Sequence, residues 1–381
     1  MSEKIEPTVP ERADVSAPAE LEVPAAPPLE EAVAPVAPAA PAAAPVGAIT
    51  GAAAHAAPPV VAGEVHIAPV VAGDGMTEED LVGATHVGDP SQPVLDLDAY
   101  LASMTPVMEA KNVTIDYEVD PVVHAVVDVD ITVNKGEIVG LAGESGCGKT
   151  TLAYGINRLL KPPALFVNGE VRFHDSSGED IDVVALKGDQ LRTFRWDKIS
   201  MVFQGAMNSL NPVISVRKQL YDVFTTHRPH MTKDQMNERC IELFELVGVD
   251  PNRLDSFAHE LSGGMRQRVM IAMALALNPQ MMIMDEPTTA LDVVVQRGIL
   301  REIMRLREQL QFAVIFITHD LPLLLEISDR IAIMLRGEII EMNLAENILH
   351  HPTHEYTKKL LASFPSLKGE RGAFVRSGED H

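Results

Sequence analysis

The stretch LAGESGCGKTT, residues 141–151, sets three glycines, a lysine and two threonines between an apolar run and the helix-forming run TLAYGINRLL. Glycines at 143, 146 and 148 let a backbone turn tightly enough to aim successive N–H groups at phosphate oxygens, helped by the positive end of the helix that comes next. Lys149 has the reach for β and γ phosphates, and the Thr150 hydroxyl suits Mg²⁺. The whole run Gly143, Glu144, Ser145, Gly146, Cys147, Gly148, Lys149, Thr150 and Thr151 is therefore a candidate phosphate cradle. Three further apolar runs end in groups with complementary chemistry. MMIMDEPTTALD (281–292) carries Asp285 and Glu286 at the end of its apolar part, suited to a magnesium shell and to polarising an attacking water respectively. VIFITHD delivers His319, whose imidazole can bond a γ-phosphate or that water, and MVFQG (201–205) delivers Gln204, whose amide can reach metal and water. Tyr117, in VTIDY, is a platform for stacking an adenine. HELSGGMRQR (259–268) poses a different question: a second glycine pair, Gly263 and Gly264 behind Ser262, opens a second helical run more than a hundred residues after the first cradle.

Positioning these groups requires alternating strands and helices. AVVDVDITV (125–133) alternates as a strand does, a Lys135-Gly136 turn leads into the buried strand EIVGLAG, and the glycine-rich loop then opens a helix. That strand, loop and helix order is the context in which a phosphate-loop match carries weight. Carboxylates and imidazoles at the ends of parallel strands converge on one edge of a sheet. DQMNERCIELFELVGV places Ile241, Leu243, Phe244 and Val247 mainly on one helical face, the pattern of core packing.

The beginning of the chain differs in kind. Residues 1–104 hold sixteen Asp and Glu against Lys4 and Arg12, a net of −14 within a total of −23, and sixteen of the 27 prolines precede Val107. Proline fixes φ and removes a backbone donor, so runs such as APVAPAAPAAAP sustain neither helix nor sheet. Residues 1–104 are expected to form a disordered, acidic, Ala/Pro-rich tail. Met104 and Met108 stand just before the first strand-like segment and are candidate alternative starts. Ala32 to Gly63 carries no Asp, Glu, Lys or Arg, but its prolines argue against a spanning helix, which must satisfy every backbone group internally. Two cysteines, Cys147 and Cys240, build neither a disulfide framework nor a zinc site and fit a reducing compartment.

Taken in order, GESGCGKTT, MVFQ, LSGGMRQR, MMIMDEPTTALD and ITHD resemble the ATPase subunit of ATP-binding-cassette (ABC) transporters, over residues 108 to about 345. The resemblance implies an α/β fold with a RecA-like P-loop core, an antiparallel β-subdomain and an inserted helical subdomain at about 207–275. It implies an ATPase domain over 105–345 that uses ATP and Mg²⁺, with Thr150, Gln204 and Asp285 at the metal and Glu286, His319 and Gln204 in catalysis. It answers the question of the second glycine pair: Ser262, Gly263, Gly264 and the seam residue Asp292 would complete a nucleotide site on another chain of a head-to-tail dimer.

HHPTHEYTKKLLASFPS (350–366), within a C-terminal extension over 346–381, resembles the segment that follows the domain in the oligopeptide, dipeptide and nickel uptake branch, as do FQGAMNSLNP and PTTALDVVVQ. The resemblance implies an importer of oligopeptides or a related solute such as an oligosaccharide or nickel; HPTHEYT is three residues longer than the branch's HPYT, and the missing cysteine cluster of many peptide-transporting relatives weakens the peptide assignment relative to oligosaccharides. The implied partners are a second, related ATPase chain, two transmembrane permease subunits and an extracellular solute-binding protein, with the chain peripheral on the cytoplasmic face of the membrane. The main alternative is an ABC-type ATPase acting on ribosomes or nucleic acid. One set of motifs and an acidic balance argue against it and imply no nucleic-acid partner. An exporter half is a third reading, disfavoured because exporters often fuse the span to the ATPase.

Overall fold

Three short runs, IVGLA, MMIMD and AVIFI, are apolar almost from end to end and buried along their whole length, as strands covered on both faces must be. They form the centre of the protein, a computed structural model of which describes residues 88–289 and 291–363. In chain order the elements are α1 (Leu97–Ala102), β1 (Pro106–Tyr117), β2 (Val123–Asn134), β3 (Ile138–Ala142), α2 (Lys149–Ile156), β4 (Ala164–His174) and β5 (Asp180–Asp182). Next come α3 (Gly188–Asp197), β6 (Ile199–Val202), α4 (Val216–His227), α5 (Lys233–Leu246), α6 (Gly263–Ala274), β7 (Met281–Asp285) and α7 (Val293–Leu310). The chain continues through β8 (Ala313–Ile317), α8 (Leu321–Ile327), β9 (Arg330–Leu335), β10 (Glu338–Leu344), α9 (Ala345–His350) and α10 (Glu355–Ala362).

Two sheets result. A four-stranded antiparallel sheet has the order β2-β1-β4-β5, and a six-stranded sheet the order β10-β9-β3-β8-β7-β6, parallel except for the β9-β10 hairpin at its edge. Period-two alternation divides the core between them. Met281 and Ile283 face the antiparallel sheet with Val113, Ile115 and Phe173, whereas Met282 and Met284 face the helices with Leu243, Phe244 and Ile299. The pairing registers align the strand ends: Val202 lies opposite Met284, Asp285 opposite Ile317, and Ile317 opposite Leu141. The loops after β6, β7, β8 and β3 therefore leave the sheet at one edge.

Between β6 and β7 the chain is helical, as expected. On α5, Met236, Cys240, Leu243 and Phe244 are buried, whereas Ile241 is only partly so. The capping box of Thr232 and Gln235 sets where this helix begins.

The expected tail requires correction at its inner end. From Gly88 onward the chain lies against the C-terminal part of the domain. The Leu95 amide donates to Asn347 Oδ1 at 2.9 Å, and Asn347 Nδ2 donates back to the Leu95 carbonyl at 2.8 Å. The Asp89 amide donates to His350 Nδ1 at 2.8 Å, and His351 Nε2 lies 2.7 Å from the Gln92 carbonyl. Asp96 caps α1, and Tyr100 donates to Glu137, which is buried and paired with Arg330. Residues 88–103 thus form a strap whose order comes from contacts with residues far away in the chain. The remainder of the expected tail, 1–87, and residues 364–381 of the expected C-terminal extension lie outside the described residues. Among the described residues no helix is long and apolar enough to cross a membrane.

Candidate functional site

β3 ends at Ala142, and the backbone then turns through Gly143, Gly146 and Gly148 with φ of +147°, +80° and +109° before α2 begins. A side chain at Gly148 would meet the Ala125 carbonyl oxygen at 2.2 Å, so close packing on β2 as well as dihedral angle demands glycine there. Lys149, 8% exposed, folds back to donate to the carbonyl oxygens of Gly143 and Glu144, each at 2.8 Å. These carbonyls satisfy the ammonium inside the loop, within reach of a phosphate.

β7 brings Asp285 to the same edge. The Thr150 hydroxyl donates to Asp285 Oδ1 at 3.2 Å, while Asp285 Oδ2 is buried without a hydrogen-bond partner. Burial raises the Asp285 carboxyl above its ordinary value, with the Glu286 charge adding to this and the Thr150 hydrogen bond and Lys149 charge opposing it. An orphaned carboxylate oxygen beside a threonine hydroxyl, with the Gln204 amide at the same cavity, is a donor set for a hard divalent cation such as Mg²⁺.

Glu286 comes next with φ +46°, a left-handed conformation that turns its carboxylate into the cavity. Three side chains from three loops hold it. Gln204 Nε2 donates to Oε2 at 2.8 Å, the Thr289 hydroxyl to the same oxygen at 2.9 Å, and His319 Nδ1 lies 3.0 Å from Oε1. Burial alone would raise this carboxyl; the hydrogen bonds from His319, Thr289 and Gln204, with the His319 charge, outweigh it and hold it below its ordinary value. Glu286 is thereby kept ionised and fixed in direction.

Lys149, Thr150, Gln204, Asp285, Glu286 and His319 line one cavity of about 830 Å³, together with Tyr117, Ser145, Gly146, Gly148 and Thr151. Tyr117, which ends β1, has its hydroxyl 3.1 Å from Thr151 Oγ1 and so lines the cavity beside the cradle. His124, Arg336 and Gly337 also line it, and the sequence reading missed them. Gly143, Glu144 and Cys147 are not among the lining residues: a side chain on Gly143 would meet the Met334 carbonyl oxygen at 2.2 Å, and Cys147 is buried.

Ser262, Gly263, Gly264 and Asp292 are not at this cavity either. Ser262 caps α6 by accepting from the Met265 amide at 3.2 Å, and Asp292 caps α7 by accepting from the Val295 amide at 3.0 Å. The two helix starts adjoin one another, since a Cβ on Gly264 would stand 2.8 Å from Val295 Cγ1 and one on Gly263 would stand 3.5 Å from Leu291 Cδ2. Of the neighbouring arginines, Arg268 is no free surface cation: it donates to the Val247 carbonyl at 2.7 Å and so ties α6 to the end of α5.

The ABC transporter family matches residues 126–289. The oligopeptide transport ATP-binding protein OppD of Bacillus subtilis is 41% identical over 269 residues, covering 70% of this chain and 74% of that protein. A putative peptide import ATP-binding protein of Brucella melitensis is 41% identical over 258 residues, covering 67% of this chain and 76% of its own length. Among solved structures, the dimeric post-hydrolysis state of an ATP-binding cassette bound to ADP and Pi superposes with a TM-score of 0.54 at 29% identity, covering 62% of this chain and 98% of that one.

Proposed function

The chain belongs to the ABC transporter ATPases, and from that premise we propose that it is the ATP-hydrolysing subunit of an importer whose solute is an oligopeptide. The observation that carries the hydrolytic part is the ionised Glu286 held by Gln204, Thr289 and His319 at the cavity that also holds Lys149. A carboxylate so held accepts a proton from a water aimed at the γ-phosphate, while His319 orients that water and the phosphate. Lys149 leaves the Gly143 and Glu144 carbonyls to neutralise β and γ oxygens, and Tyr117 covers the adenine. Thr150, Asp285 and Gln204 would hold Mg²⁺, which supplies charge neutralisation between the phosphates.

Ser262, Gly263, Gly264 and Asp292 act on the nucleotide of a second ATPase chain. What supports this is their clustering at two adjoining helix starts away from their own cavity, and the dimeric state of the similar cassette. The domain spans residues 105–345 with its helical part near 207–275, and 346–381 is the extension of the peptide-uptake branch. Two permease subunits form the pore, an extracellular binding protein delivers solute, and the chain sits on the cytoplasmic face. The peptide reading is favoured over oligosaccharides by the relatives named for oligopeptide transport and peptide import, despite the missing cysteine cluster.

The test is the ATPase rate of the assembled transporter in vesicles with its binding protein. Stimulation by oligopeptide-loaded binding protein is the expected result. Stimulation by an oligosaccharide-loaded protein alone would replace the solute class, and stimulation by RNA or ribosomes would replace the importer reading.

A further inference from the structure

The tight turn between β9 and β10 consists of Arg336 and Gly337, both at positive φ, +49° and +91°. A two-residue loop of this kind matches the twist of the strands it joins, but positive φ is uncommon for a side chain as bulky as arginine. The turn is clamped on two sides. The Gly337 amide donates to the Cys147 carbonyl of the glycine-rich loop at 3.0 Å, and the Gly337 carbonyl accepts from the Val127 amide of β2 at 2.9 Å. A side chain at Gly337 would stand 3.2 Å from the Ala125 carbonyl oxygen, the same oxygen against which Gly148 packs. Arg336 is thereby held next to the residue that bonds the glycine-rich loop. Its side chain is exposed, lines the cavity, and makes no hydrogen bond or ion pair with any described residue. His124, the basic side chain that β2 adds to the cavity, is already engaged: its Nδ1 lies 2.9 Å from Asp116 Oδ1. Two carboxylates, Asp285 and Glu286, line the cavity against two cations, Lys149 and Arg336. Without Arg336 the balance of these four would be negative, unfavourable to a polyanion.

We infer that Arg336 is a further nucleotide-binding residue, its guanidinium donating to the α-phosphate and ribose oxygens. The inference rests on the nucleotide reading of the cavity. Tyr117 pairs with Val123 across β1 and β2, and Val123, His124 and Ala125 line the cavity between Tyr117 and the Arg336-Gly337 turn. With adenine on Tyr117 and the β and γ phosphates on Lys149, the stretch of nucleotide left between them is the ribose and α-phosphate. A guanidinium presents a planar fork of N–H donors, suited to phosphate oxygens. These groups are common to ATP and ADP, so Arg336 tightens both to the same degree and does not distinguish substrate from product.

The experiment is titration of the full-length chain with ATP and with ADP, for wild type, Arg336→Gln and Arg336→Glu, alongside melting of each nucleotide-free chain. Both replacements place an unbranched side chain at the same positive φ, so neither relieves the turn. Arg336→Gln is expected to weaken ATP and ADP alike by about tenfold, the low end for a charge-assisted hydrogen bond, and Arg336→Glu to weaken both further. Melting temperature should stay unchanged in Arg336→Gln, because the guanidinium has no partner to lose. Affinities of Arg336→Gln within about 1.5-fold of wild type would overturn the inference. So would a loss confined to ATP, which would set the guanidinium at the γ-phosphate, or a loss accompanied by lower melting, which would make Arg336 a structural residue of the turn. Failure of the wild-type chain to bind either nucleotide would instead overturn the nucleotide reading beneath it.

Discussion

Among single residues, the site turns on one carboxylate. Glu286 is held below its ordinary pKa against the opposing effect of burial by hydrogen bonds from His319, Thr289 and Gln204. Glu286→Gln preserves shape and most hydrogen bonding but cannot accept the proton, so the steady-state rate should fall by about 100-fold or more while ATP still binds. A parental turnover rate measured by phosphate release would move the base role elsewhere. The pH dependence has a definite sign. Activity that needs ionised Glu286 is fully present above the ordinary carboxyl pKa and is lost only as pH falls through the lowered native value. His319→Ala removes the largest lowering contribution, so the acid limb of the residual ATPase profile should move to higher pH; a limb that stays in place or moves lower contradicts the assigned coupling. Most of these groups were legible in sequence because each closes an apolar run at a fixed offset. Arg336 and His124 were not. They sit near the turns at the end of β9 and the start of β2, and no local signal says that those turns fold over the cavity.

Among the elements, the parallel strands were readable from their unbroken apolar runs, and α5 from its amphipathic period. The strap at 88–103 was not, for a physical reason. Its acidic, proline-containing composition continues that of the preceding residues, and its order derives from Asn347, His350 and His351, which sequence proximity cannot bring to it. Residues 88–103 therefore belong to the folded domain instead of to the expected tail. Asn347→Leu keeps the volume but leaves the Leu95 amide and carbonyl under an apolar cover, a loss of about 1–3 kcal/mol, which for a domain of this size lowers the melting temperature by roughly 2–4 °C per kcal/mol. Removing residues 1–103 should also lower it, by stripping the cover from the Glu137 and Arg330 pair. Calorimetry checks both, and unchanged melting in both would show that the strap contributes nothing to stability.

In the whole molecule, the proposed nucleotide site is one that a second chain completes. The cavity brings together the glycine-rich loop, the Glu286 carboxylate and the proposed metal ligands, but the serine and glycines of LSGGMRQR lie away from it and adjoin Asp292 instead. Their sequence announced a second phosphate-binding helix start, while its distance from the first required the fold. On the proposed dimer, replacing Gly264 by Asp would place a carboxylate against the partner's γ-phosphate, and Gly264→Ala controls for the crowding against Val295 that any side chain there produces. The decisive measurement sets nucleotide affinity of the isolated Gly264→Asp chain beside ATPase turnover of the assembled transporter. Affinity within about twofold of wild type with turnover lost, more severely than in Gly264→Ala, is the predicted result. Lost affinity in the isolated chain with turnover intact in the assembly would contradict it.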